Sequence, residues 1–160
     1  MSSQVLTPQE VSELTQTAWI RFLRAHAALT RELGARLEAE HGLTMSDFDV
    51  LIQLYHAPDH AMRRIDIARQ VLLTASGITR LLDGLERCGL VAKRSCESDA
   101  RVSYAVLTDE GLRKVEAARN SHNADIDELF GAALSATERE QFAELLARLP
   151  LAPTASECSE

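Results

Sequence analysis

Thr74-Ala-Ser-Gly-Ile-Thr-Arg-Leu-Leu-Asp-Gly-Leu-Glu-Arg-Cys-Gly89 runs directly into Leu90-Val-Ala-Lys-Arg94. The first run predicts a helix capped by Thr74 and closed by Gly89. Leu90–Arg94 and Val102-Ser-Tyr-Ala-Val-Leu107 read as two strands, joined by the polar loop 95–101. A helix with small polar residues on its first turn, followed by a hairpin with arginine at its tip, is the layout of a winged helix. That layout lays the helix in a DNA major groove and the hairpin loop against the flanking minor groove.

Outward from this centre the chain reads as helices. Thr7-Pro8-Gln9-Glu10 is a capping box with proline at the first helical position. Val11, Leu14, Ala18, Phe22, Ala25, Leu29, Leu33 and Leu37 then recur every three to four residues, until Gly42 ends the helix. Thr44-Met-Ser-Asp47 caps a second helix carrying Phe48, Leu51, Ile52 and Tyr55, stopped by Ala57-Pro58. Ile65–Leu72 predicts a short third helix with Ile67, Ala68 and Val71 facing inward. Thr108 caps a fifth helix, running to about Gly131. Ser135-Ala-Thr-Glu138 opens a sixth, which bears Phe142, Leu145, Leu146 and Leu149. Prolines 150 and 153 predict a disordered tail over 150–160.

The order α-α-α-α-β-β-α-α gives a mainly α fold with a small β-hairpin (α+β). We expect a winged helix-turn-helix over 43–107 in a single protomer spanning 1–160. The terminal helices, 8–42 and 108–149, carry apolar stripes whose economical use is to pack together and, in two copies, to form a dimer.

The formal charge of −7 is unevenly spread. From Met62 to Arg101 eight Lys/Arg face five acids, giving +3, while the remainder carries −10. An acidic body with one basic face fits a DNA binder. No apolar run is long enough to cross a membrane, and without a charged-then-apolar N-terminal pattern no signal peptide is expected. Three cysteines without metal-like spacing predict a reducing, cytoplasmic setting and no disulfide framework. Phosphate loops, dinucleotide fingerprints and nucleophile elbows are missing from the sequence, so no enzyme or cofactor is expected.

Asp99-Ala-Arg101 followed by Leu107-Thr-x-x-Gly111 resembles the wing signature of the MarR family, bacterial ligand-responsive winged-helix transcription factors. Ile67-Ala68, Thr79-Arg80-Leu81 and Leu85-Glu86-x-x-Gly89-Leu90-Val91 match in order and spacing. Two features depart from the pattern. Ala100 removes an arginine common in the wing, and Arg63-Arg64 stand where polar caps often precede the third helix. The resemblance implies a homodimeric regulator, in the first instance a repressor, acting on double-stranded DNA.

Candidate DNA-binding residues are Thr74, Ala75, Ser76, Thr79 and Arg80 on the fourth helix, with Lys93, Arg94, Asp99 and Arg101 on the wing. Threonine methyls or Ala75 suit a thymine methyl, and Arg80 suits guanine or a phosphate. Arg101 suits a narrowed minor groove, with Asp99 bracing the turn. Arg63, Arg64 and Arg69 read equally as phosphate contacts or as a solvated face.

Trp19 reads either as an interface anchor or as part of a ligand site. Asp49, between Phe48 and Val50, needs a partner or water. Trp19, Asp49 and Arg80 resemble the trio of the family's urate-responsive branch, which implies a small aromatic or phenolic anionic effector. Two other readings remain open. Cys88 or Cys96 could respond to oxidation, or the winged helix could serve protein contacts alone. The five histidines form no metal-ligand spacing; His26 and His122 read as core residues on packed helices.

Overall fold

Gly42, with φ of 65°, ends a first helix that is unusually long for so small a chain. This helix, α1 (Pro8–His41), has 34 residues and so spans about 51 Å. The computed structural model describes residues 8–71, 75–95 and 102–149. After α1 come α2 (Met45–His56), a 3-10 turn (Pro58–His60), β1 (Ala61–Arg63), α3 (Arg64–Gln70), α4 (Ala75–Arg87), β2 (Val91–Ser95), β3 (Ser103–Leu107), α5 (Asp109–Leu129), a second 3-10 turn (Gly131–Ala133) and α6 (Ala136–Ala147). The protein is mainly helical with a small antiparallel sheet. The chain divides into two compact units, residues 1–122 and 123–160.

In the first unit Thr44 caps α2. Its Oγ1 accepts from the Asp47 amide at 3.1 Å, and its own amide donates to the Asp47 carboxylate at 3.0 Å. Val50, Leu51 and Leu54 are fully buried and Phe48 nearly so, while the apolar pattern of α2 also carries Ile52 and Tyr55. Those two are only partly buried. The core joins α2 to Leu37 of α1, Ile67 of α3, Ile78, Leu82 and Leu85 of α4, Val91 and Leu107 of the sheet, and Val115 and Ala118 of α5. Each buried Val, Leu or Ile side chain of this set stabilises by about 1.5–3 kcal/mol.

The sheet corrects the expectation of a two-stranded hairpin. Its order is β1-β3-β2, so β3 is central. The extra strand is only Ala61-Met-Arg63, paired with Val106, Ala105 and Tyr104. It follows a tight turn in which Asp59 and His60 take left-handed φ of 54° and 51°, and the Ala61 amide donates to the Pro58 carbonyl. A ring nitrogen of His60 lies 2.9 Å from the Tyr55 carbonyl and holds the turn on α2. The third helix starts at Arg64 rather than Ile65, and Ile65 is exposed.

The second unit holds the end of α5 and all of α6. Ser135 and Glu138 form the expected capping box, and Phe130 packs on Phe142 with ring centroids 5.7 Å apart.

Candidate nucleic-acid interface

The C-terminus of α4 is built as a Schellman motif. Gly89 takes φ of 72°, its amide donates to Glu86, and the Leu90 amide donates to Leu85. Leu85 and Leu90 are both buried, supplying the apolar contact that accompanies this cap. Thr108 then ties three elements together. Its hydroxyl donates to the Gly89 carbonyl at 2.6 Å and accepts from the Gly111 amide at 3.0 Å, while its amide donates to Leu90. The Leu-Thr-x-x-Gly pattern is therefore the joint that locks the end of α4 to the start of α5 and closes the base of the hairpin.

Ile78, Leu82 and Leu85 recur at helical spacing and face the core. Thr79 and Arg80 consequently stand on the exposed side of α4. Ala75 and Ser76 form its first turn. On β2, Lys93 and Arg94 are exposed, and the Arg94 guanidinium lies 5.6 Å over the ring of Tyr104, its cross-strand partner. That contact orients a flexible cation beside the hairpin. Thr74, Asp99 and Arg101 lie outside the described residues, as do Cys96 and the tail 150–160.

Each of the three arginines at the start and end of the third helix lies beside an acid. Arg63 Nε donates to Asp66 at 2.6 Å, a bond that raises the guanidinium pKa above its ordinary value. Arg64 Nη2 reaches Asp83 at 3.1 Å and Glu86 at 3.9 Å on α4. Arg69 stays mostly exposed, 3.7 Å from Asp66. The sequence held a sign of this, since Asp83 and Glu86 share one helix face at i, i+3.

Asp49 is half-buried and lines a groove of about 280 Å³ with Met45, Ser46, Phe48, Ile52 and His122. The His122 ring packs on Phe48, with centroids 4.8 Å apart. Trp19 is 58% exposed and touches Phe22, and neither Trp19 nor Arg80 lines that groove. Of the trio singled out from sequence, Asp49 alone lines this groove. His26 is exposed and stacks on Phe22, rather than lying in the core. A larger groove, about 600 Å³, escaped the sequence reading. His41, Asp47, Arg87, Cys88, Glu110 and Lys114 contribute to it, and the Cys88 thiol is free. Among the described residues no group of three His, Cys, Asp or Glu is placed to hold a metal, and no helix is long and apolar enough to cross a membrane.

The MarR family pattern matches residues 41–102, from the end of α1 past β2. The HTH-type transcriptional regulator MhqR of Bacillus subtilis (strain 168) is 30% identical over 141 residues, covering 88% of this chain and 94% of its own. The chain belongs to the MarR family. AbsC, a MarR family transcriptional regulator from Streptomyces coelicolor, matches it with a TM-score of 0.77 at 29% identity, over 90% of this chain and 93% of its own. Sco3205, a MarR family transcriptional regulator from the same organism, has been solved in complex with DNA. It matches with a TM-score of 0.78, over 91% and 88% of the two chains, and at 23% identity this likeness speaks to fold alone. As a MarR-family protein the chain is a transcriptional regulator and not an enzyme.

Proposed function

We propose that this MarR-family chain works as a homodimeric repressor on a pseudo-palindromic operator, released by a small aromatic or phenolic anion. The observation that carries the DNA-reading part is the pairing of an exposed α4 face, Thr79 and Arg80, with Arg94 held over Tyr104 on the adjoining hairpin. In this reading Thr74, Ala75, Ser76, Thr79 and Arg80 meet base edges, and Lys93 and Arg94 hold phosphates. Arg101 enters the minor groove with Asp99 bracing it.

Dimerisation through 8–42 and 108–149 is supported by uncovered apolar side chains. Leu14, Trp19, Ile20 and Leu23 of α1 are exposed, as are Phe142 and Leu145 of α6 and Leu149 just beyond it. Large apolar side chains left in the open, taken in each helix by itself, suit an interface. The groove beside Asp49 suits a small ring. An anion there would compete with Asp49 for cations and act only by favouring the DNA-incompetent spacing of the two α4 helices.

The test is binding of the purified protein to its own upstream intergenic DNA and to a scrambled duplex, at two salt concentrations. A preference for the native duplex, with affinity falling steeply in salt, is expected. Equal, weak binding to both overturns sequence-specific reading in favour of a protein-contact role. The exposed thiol of Cys88, one residue past α4, favours oxidation as an alternative release signal. Peroxide would then weaken DNA binding by wild type but not by Cys88→Ser.

A further inference from the structure

We propose that Arg64 is a positioning residue that sets the tilt of α4, and not a phosphate contact. The inference rests on α4 being the helix that enters the groove. Arg64 begins α3, and its side chain is only 20% exposed. It crosses to α4 to meet Asp83 at 3.1 Å and Glu86 at 3.9 Å. Its Nε and the Glu86 Oε1 are buried atoms without a hydrogen-bond partner among the described residues. A guanidinium enclosed in this way, with two carboxylates beside it, is neutralised before any phosphate arrives.

The apolar contact alone does not fix the helix. Ile67 of α3 and Ile78 and Leu82 of α4 are buried in one core cluster. Such burial is non-directional, and packing angles of its kind scatter by about 15–20°. The ion pairs add direction, because Arg64 holds α4 at two points, Asp83 and Glu86, and two points resist a tilt that one alone would allow. Ala75 lies eight residues away, about 12 Å along the axis at 1.5 Å per residue. A tilt of about 10° about Asp83 therefore moves the first turn by about 2 Å. Hydrogen bonds to base edges survive only a few tenths of an ångström. Contacts to phosphates by the long side chains of Lys93 and Arg94 follow such a shift.

Losing the clamp should thus damage sequence discrimination and leave general DNA affinity intact. The test uses the full chain and a duplex enriched by wild type from a random library, with a scrambled duplex as reference. Arg64→Met should weaken binding to the enriched duplex about tenfold, the scale of one lost base contact. Binding to the scrambled duplex and the slope of log affinity against log salt should stay at wild-type values. Arg64→Lys should restore part of the loss. Asp83→Asn with Glu86→Gln should reproduce it, although removing two acids would strengthen binding if only phosphate attraction counted.

The inference is overturned if Arg64→Met weakens both duplexes alike and lowers the salt slope by about one. It is overturned equally if the Asp83/Glu86 variant binds the enriched duplex more tightly. If wild type enriches no duplex, DNA reading itself fails, and the clamp is judged by hydrogen exchange. Faster exchange over 75–87 in Arg64→Met, with 109–121 unchanged, upholds it; unchanged exchange over 75–87 ends it.

Discussion

The carbonyl oxygen of Leu90 occupies the space where a side chain on Gly111 would begin. A methyl group there would overlap that oxygen and crowd the Leu107 side chain at 3.1 Å. Leu90 cannot yield freely, because the same oxygen accepts the Thr108 amide at 3.1 Å. Gly111→Ala decides between two opposing effects. Helix propensity alone favours alanine by about 1 kcal/mol. The overlap with backbone costs more, and we expect a net loss of about 3 kcal/mol. Denaturant unfolding at fixed protein concentration measures it; an unchanged or raised midpoint would disprove the packing account.

Lys93 and Arg94 are exposed on β2 and belong to the surface proposed to hold phosphate. Lys93→Ala and Arg94→Ala should each flatten the salt slope by about 0.9 and weaken all duplexes alike. Thr79→Ala should instead shift sequence preference by about 1 kcal/mol or more at one position while sparing the slope. Titrations at four salt concentrations separate the two behaviours.

Ile20 and Leu23 are exposed large apolar residues on α1. An aspartate at either should split the proposed dimer, since a carboxylate buried in an apolar interface needs a partner. Sedimentation equilibrium should show a monomer for Leu23→Asp, with helical content near that of wild type. A dimer of undiminished affinity would move the interface elsewhere.

The Glu138 carboxylate accepts from the Ser135 amide and hydroxyl, both at 2.8 Å. The amide bond is the main cause of a pKa held below the ordinary 4.5. A lowered folded-state value means that this contribution is complete above the unfolded value. It disappears as pH falls through the folded one. Between pH 6 and pH 3 the thermal midpoint of wild type should therefore converge on that of Glu138→Gln. Parallel curves would show that the cap does not titrate.

Helix ends were legible in the sequence because their chemistry is local. Thr44, Ser135, Gly42 and Gly89 act on backbone groups within a few residues, so spacing alone placed them. Features made by distant segments were not legible. Strand β1 is three residues without alternation, and only pairing with β3 makes it a strand. Val50 and Leu54 of α2 are buried beyond the stripe of Phe48, Leu51, Ile52 and Tyr55, because α2 meets α1, α3, α4 and β3. The Arg64–Asp83 pair joins residues 19 apart. The pattern Leu-Thr-x-x-Gly was readable as a signature, but its reason is the closeness of Gly111 to Leu90, visible only in three dimensions.

The joint at Gly89, Leu90, Thr108 and Gly111 also sets where this protein is free to change. The core takes Val91, Ala105 and Leu107 from the hairpin, and β2 and β3 pair outward from Val91–Leu107 to Ser95–Ser103. Lengthening the connection between Ser95 and Ser103 costs about 0.6 kcal/mol of loop-closure entropy for each doubling of length. Descendants of such a chain can lengthen or rewrite that segment step by step, acquiring new preferences outside while inheriting the fold unaltered.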